Sequence, residues 1–154
     1  MKKSKPGLIA MLMLATATAG AHTNEYLDTL VAPHGGQLRM SGPYHFELVM
    51  EKECDTTKEG TIIIYVTDHV DTKISTAKGD GKVTLISGKQ KTEVKLQPDG
   101  DNRFKGVAQY VADPKLAVAV FVKLPNQQAE AARFAPFKKK AKAAAKNGAA
   151  KLHH

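Results

Sequence analysis

One cysteine, Cys54, stands in 154 residues, and there is no tryptophan. A single thiol excludes an intrachain disulfide, so the fold must be held by its core. Only four tyrosines and five phenylalanines are present, and most are needed inside, which leaves few aromatics for a substrate surface. No apolar run approaches the roughly 20 residues that span a bilayer as a helix. The chain also lacks GxSxG, HExxH, a phosphate-binding glycine loop and any Cys/His zinc spacing, and its carboxylates form no evident pair. These absences speak against an enzyme.

The amino terminus has its own pattern. Lys2, Lys3 and Lys5 precede the apolar stretch from Leu8 to Ala15, and Ala19-Gly20-Ala21 follows as a small-x-small cleavage site. This is the make-up of a secretory signal peptide over residues 1–21. It predicts a periplasmic protein whose mature chain starts at His22. The formal charge of +8 is unevenly spread. Three of the 23 bases lie in residues 1–21 and six (Lys138, Lys139, Lys140, Lys142, Lys146, Lys151) follow Phe137, so 14 remain against all 15 acids, a net of −1. The body is therefore not a nucleic-acid binder. Residues 138–154 read as a Lys/Ala-rich mobile tail without an apolar face, suited to an anionic lipid or an acidic partner.

Residues 22–137 are enough for one domain. Tyr44, Phe46, Leu48 and Met50 alternate with His45, Glu47 and Glu51, and Ile62, Ile64 and Val66 alternate with Ile63, Tyr65 and Thr67. Alternation of this kind marks half-buried strands. The spacing predicts strands over 44–51, 61–70, 82–87, 92–97, 103–110, 116–124 and 131–137, separated by turns such as Gly79-Asp80-Gly81 and Asp113-Pro114. Short strands without an amphipathic helix between them predict an all-β domain, an immunoglobulin-like antiparallel β-sandwich of about seven to nine strands. Its expected core includes Phe46, Leu48, Ile62, Ile64, Val66, Leu85, Val118, Val120 and Phe134.

Chemistry is concentrated in four histidines of the first half: His22, His34, His45 and His69. Once freed at its amino end, His22 offers its α-amine and its ring to one ion, and a further imidazole gives nitrogen ligation suited to square-planar or tetragonal Cu(II). Folding the two strands about the 52–60 loop sets His45 opposite a residue near Thr67, with His69 one diagonal step away on the same face. A one-residue slip of register would part them. His34 lies beside Gly35 and Gly36, where the backbone turns tightly or approaches a ligand. Cys54 has no Cys or His spaced to join it, which favours a bystander over a soft metal ligand or an intermolecular bridge.

The runs Ala32-Pro33-His34-Gly35-Gly36-Gln37, Gly42-Pro43-Tyr44-His45-Phe46-Glu47-Leu48-Val49 and Tyr65-Val66-Thr67-Asp68-His69 resemble a group of small exported proteobacterial proteins. The His-Gly-Gly opening and the strand after it are similar to the N-terminal β-domain of heavy-metal efflux membrane-fusion subunits. A mature N-terminal histidine ahead of a β-sandwich also resembles periplasmic copper-resistance carriers of the CopC type. These resemblances imply a Cu(II) carrier or buffer serving an efflux subunit, with His22, His34, His45 and His69 as ligands and zinc as the alternative ion. The competing readings are an envelope interaction module tethered by its basic tail, and a small copper oxidase using the same nitrogens. The first measurable consequence is processing: mass spectrometry of the exported protein should find His22 as residue one, and a start at Thr23 would remove the amino-terminal chelate.

Overall fold

The computed structural model describes residues 23–140. The leader, His22 and residues 141–154 lie outside them. One short helix, α1 (Asn24–Leu27), precedes eight strands: β1 (Gln37–Ser41), β2 (Tyr44–Met50), β3 (Glu59–Asp68), β4 (Asp80–Ser87), β5 (Gln90–Pro98), β6 (Arg103–Gln109), β7 (Ala117–Lys123) and β8 (Ala129–Phe134). All pairings are antiparallel.

The alternation read from the sequence decides which way each strand faces. Phe46, Ile62, Ile64, Val66, Val83, Leu96, Phe104 and Val120 are fully shielded from water. Burying each such side chain stabilises the fold by roughly 1.5–3 kcal/mol. All nine residues expected in the core are buried. Tight hairpins fix the register. Gly42 and Gly88 take positive φ (54° and 60°) as the first residues of two-residue connections between β1 and β2 and between β4 and β5.

The strand order is β1-β2-β3-β6-β5-β4-β7-β8. β4, β5 and β6 form a meander, and β7 returns beside β4, which is a Greek-key arrangement. β5 serves two neighbours, with residues 90–96 on β4 and Gln97 and Pro98 on β6. The domain is thus all-β and antiparallel, as expected, in one nearly closed eight-stranded sheet. An immunoglobulin-like arrangement does not follow from this order.

Closure is made by side chains. Residues 37, 39 and 41 point from β1 toward the edge of β8, where the Ala135 N–H donates to Gln37 Oε1 (2.8 Å), Arg39 Nε donates to the Arg133 carbonyl (3.2 Å) and the Ser41 hydroxyl donates to the Ala131 carbonyl (2.6 Å). Arg39 is buried, with its guanidinium 5.9 Å from the centre of the Phe134 ring. Its other nitrogens fork onto the two oxygens of Asp28 at 2.8 and 3.3 Å, and Gln37 Nε2 donates to the same carboxylate. β1 escaped the sequence pattern for this reason: its inward residues are Arg39 and Ser41, and its apolar Leu38 and Met40 face outward.

Burial opposes ionisation of Asp28, but the hydrogen bonds from Arg39 and Gln37, with the Arg39 charge, outweigh it and hold the carboxyl below the usual carboxylate range. Stability from this group is therefore complete above the unfolded carboxylate range and is lost as pH falls through the lower folded value. Arg39→Ala should cost about 2–3 kcal/mol, the scale of losing hydrogen bonds to charged groups, in urea unfolding at neutral pH. Asp28→Asn should be destabilising at neutral pH and converge on the parent in acid. A constant difference across pH would show that the charge contributes nothing.

Candidate functional site

The outer face of β2 carries His45, Glu47 and Val49, and that of β3 carries Ile63, Tyr65 and Thr67. Pairing sets His45 across from Thr67 and Glu47 across from Tyr65. Over this face lies the segment 32–36. Gly35 has φ 72° and its N–H donates to the Ala32 carbonyl at 3.0 Å, which turns the chain back. Gly36 is pressed against the Leu48 carbonyl and Val49, where no Cβ fits. The segment is thereby laid flat on β2 with His34 above Glu47 and Tyr65.

Glu47 was expected among solvent-facing residues, yet only 4% of its surface is exposed. The reason is the loop above it. Glu47 Oε1 accepts from the His34 and Gly36 backbone N–H groups at 2.8 and 3.0 Å, and Oε2 meets His34 Nδ1 at 2.8 Å. A carboxylate only accepts, so Nδ1 carries a proton, which in the neutral ring leaves the lone pair on Nε2. The imidazole also stacks on Tyr65, centroids 3.6 Å apart and planes 2° from parallel. Beyond Tyr65, the hydrogen bond that the Arg103 guanidinium donates to the Tyr65 hydroxyl oxygen, followed by the Asp99 carboxylate 3.0 Å away, raises Arg103 above its ordinary value. His34 is thus a fixed ring, with 45% of its side chain in solvent.

One ladder step away, the His45 and His69 rings meet edge to face, with centroids 4.9 Å apart. The diagonal relation read from the sequence is present, because His45 pairs with Thr67. His69 Nε2 lies 3.1 Å from the Gly42 carbonyl. A carbonyl cannot donate, so Nε2 bears a proton, which in the neutral ring leaves the lone pair on Nδ1. His45 Nδ1 is 3.9 Å from Asp71 Oδ1, and its side chain is 13% exposed. The loop holding His69 and Asp71 is ordered by Asp68, whose carboxylate accepts from the N–H groups of Thr72 and Val70 at 2.8 and 2.9 Å. Those bonds, with Thr72 foremost, hold the Asp68 carboxyl below the usual range.

No protein family, curated protein or solved structure matches the chain. The three described histidines nevertheless gather on one face of one hairpin. Two of them, His34 and His69, have their tautomers set by an oxygen on the opposite nitrogen, the second-shell device that orients imidazole ligands. Among the described residues, no three of His, Cys, Asp and Glu come together as a ligand group. His45 and His69 are an adjacent pair, and His34 is a separate imidazole beside them. His22 lies outside the described residues. Cys54 is elsewhere, buried at the end of the domain between Gly60 and Tyr110, with its thiol directed at Glu51 Oε2 (3.6 Å).

Sequence reasoning missed Glu47. The available signal was an acid in an apolar strand following a His-Gly-Gly turn that allows close approach. Glu47→Gln keeps an oxygen for the two backbone donors but sets an amide N–H₂ against His34 Nδ1–H. Nitrogen NMR should show His34 changing from the Nδ1–H to the Nε2–H tautomer, with a stability loss of about 1–3 kcal/mol if the ring cannot adapt. An unchanged tautomer would show that Glu47 does not orient the ring.

Proposed function

We propose that this is an exported metal-binding protein that holds Cu(II), with zinc as the competing ion, on the outer face of the β2–β3 hairpin. The contact between the His45 and His69 rings supports this reading most directly. Two imidazoles so close, one with its far nitrogen tied to a carbonyl, cost little further ordering when an ion joins them. Imidazole nitrogens suit both copper and zinc.

Two rings are an incomplete site. The amine and ring of a mature His22 supply the remaining nitrogens in this proposal, and His34 offers a further imidazole on the same face. Nitrogen-rich ligation of that number favours Cu(II). Such a site binds and releases, which suits a buffer or carrier that passes metal to the periplasmic subunit of an efflux system.

The test is a Cu(II) titration of the processed protein followed by EPR. His45→Ala and His69→Ala should each weaken binding at least tenfold, about 1.4 kcal/mol. A glycine added ahead of His22 should do the same while leaving every side chain in place. Binding should fade as pH falls through the imidazole range, because protons take the same lone pairs. Equal affinity in the parent and both histidine variants would remove the hairpin site, and equal affinity with the added glycine would remove the amino-terminal chelate.

A further inference from the structure

The gap between β1 and β8 is stitched by side chains, but a second break in the strand pairing is left open. β5 and β6 pair only beside their turn, at Gln97↔Lys105 and Pro98↔Phe104. Pro98 has no N–H to give to a ladder. At Gly106 the Leu96 and Val94 side chains and the Lys95 carbonyl fill the space a Cβ would need. The strands therefore cross closely at Gly106 and then part. Past the crossing, residues 90–95 are paired on their β4 side and residues 107–109 on their β3 side. Their other edges face each other, and no backbone hydrogen bond among the described residues takes them up.

Between these edges is a cleft of about 1060 Å³ lined in part by Leu85, Val94, Ala108 and Leu116. Lys95 and Lys105 stand on its two walls. Both are exposed, and neither forms an ion pair among the described residues. Two neighbouring acids are already neutralised, Glu93 by Lys82 at 3.1 Å and Asp99 by Arg103 at 3.0 Å. Glu59 is the remaining acid, at the far end of β6, opposite Gln109.

We propose that this cleft binds an extended peptide segment of a partner, with apolar side chains alternating with acidic ones. Backbone donors and acceptors repeating along two strand edges are matched by another extended backbone. Alternate side chains of such a strand fall on the apolar lining, and the others reach the wall where Lys95 and Lys105 lack a counter-charge. The inserted strand runs antiparallel to one edge and parallel to the other, a mixture that sheets accommodate. The chain's own end is the wrong occupant by charge, because Lys142, Lys146 and Lys151 repeat the sign of the two wall lysines.

The probe is a capped hexapeptide alternating valine with glutamate, added to the full chain and followed by amide hydrogen exchange and by affinity. Exchange at residues 90–95 and 107–109 should slow at least tenfold on binding, while the β2–β3 ladder is unaffected. Methylating alternate backbone nitrogens of the peptide should weaken binding at least tenfold. The double variant Lys95→Glu, Lys105→Glu should lose the glutamate peptide by a similar factor and accept a valine–lysine peptide instead. The proposal is overturned by no binding at millimolar peptide, or by binding indifferent to N-methylation. It is also overturned if the free chain already protects these amides and loses the protection when residues 141–154 are removed, since the tail would then be the occupant.

Discussion

The guanidinium of Arg39 lies between the first and last strands of the sheet, over Phe134 and forked onto Asp28. β1 and β8 do not form a ladder, so two strand edges would face each other without partners. Gln37, Arg39 and Ser41 satisfy three backbone groups of the β8 side, each two residues from the next. A buried cation is costly unless it is paired and hydrogen-bonded, and α1 exists in the right place to meet that need, since Asp28 caps its C-terminal end. What depends on this is the course of the chain between α1 and β1. With β1 held at both edges, segment 32–36 has a fixed span to cover, and Gly36 presses it onto β2. His34 then has one place to go.

The strands were legible because water is on one side and a close-packed core on the other. Period-two alternation located seven strands, with some ends unchanged and the others shifted by one to three residues. Pro98, one residue past the strand expected over 92–97, closes β5, where its missing N–H belongs at the end of a ladder. β1 was illegible because its inward face makes polar bonds instead of apolar contacts, and burial by hydrogen bonding leaves no periodic trace. The same blindness hid Glu47. Its position in β2 announces an outward residue, and only the loop folded over it makes that outward place a buried one. His45 and His69 were legible because an antiparallel hairpin centred on a known loop fixes which residues oppose each other. His34 was legible as a residue but not in its setting, which depends on contacts with two strands distant in sequence.

The two halves of the sheet have different characters. On the β1-β2-β3 side, polar side chains are spent on one another: Glu47 on His34 and Gly36, His69 on Gly42, and Asp68 on its own loop. Such satisfied networks fix geometry. Around β5 and β6 the backbone itself is left unspent and lysines stand without partners. One small domain therefore joins a rigid imidazole face, whose geometry is set by its own hydrogen bonds, to a strand pair whose backbone edges stay open.

Cys54 gives the domain an internal gauge. Its sulfur is packed against Gly60 and the Tyr110 ring, and the Tyr110 hydroxyl is anchored on the Glu51 carbonyl at 2.9 Å. Burial is the main cause that pushes this hydroxyl above its ordinary value, followed by the Cys54 thiol beside it. Cys54 is buried, so a water-borne thiol reagent reaches its sulfur only when this end of the domain opens. The labelling rate of this one thiol therefore measures how often that end of the domain breathes, separately from global unfolding.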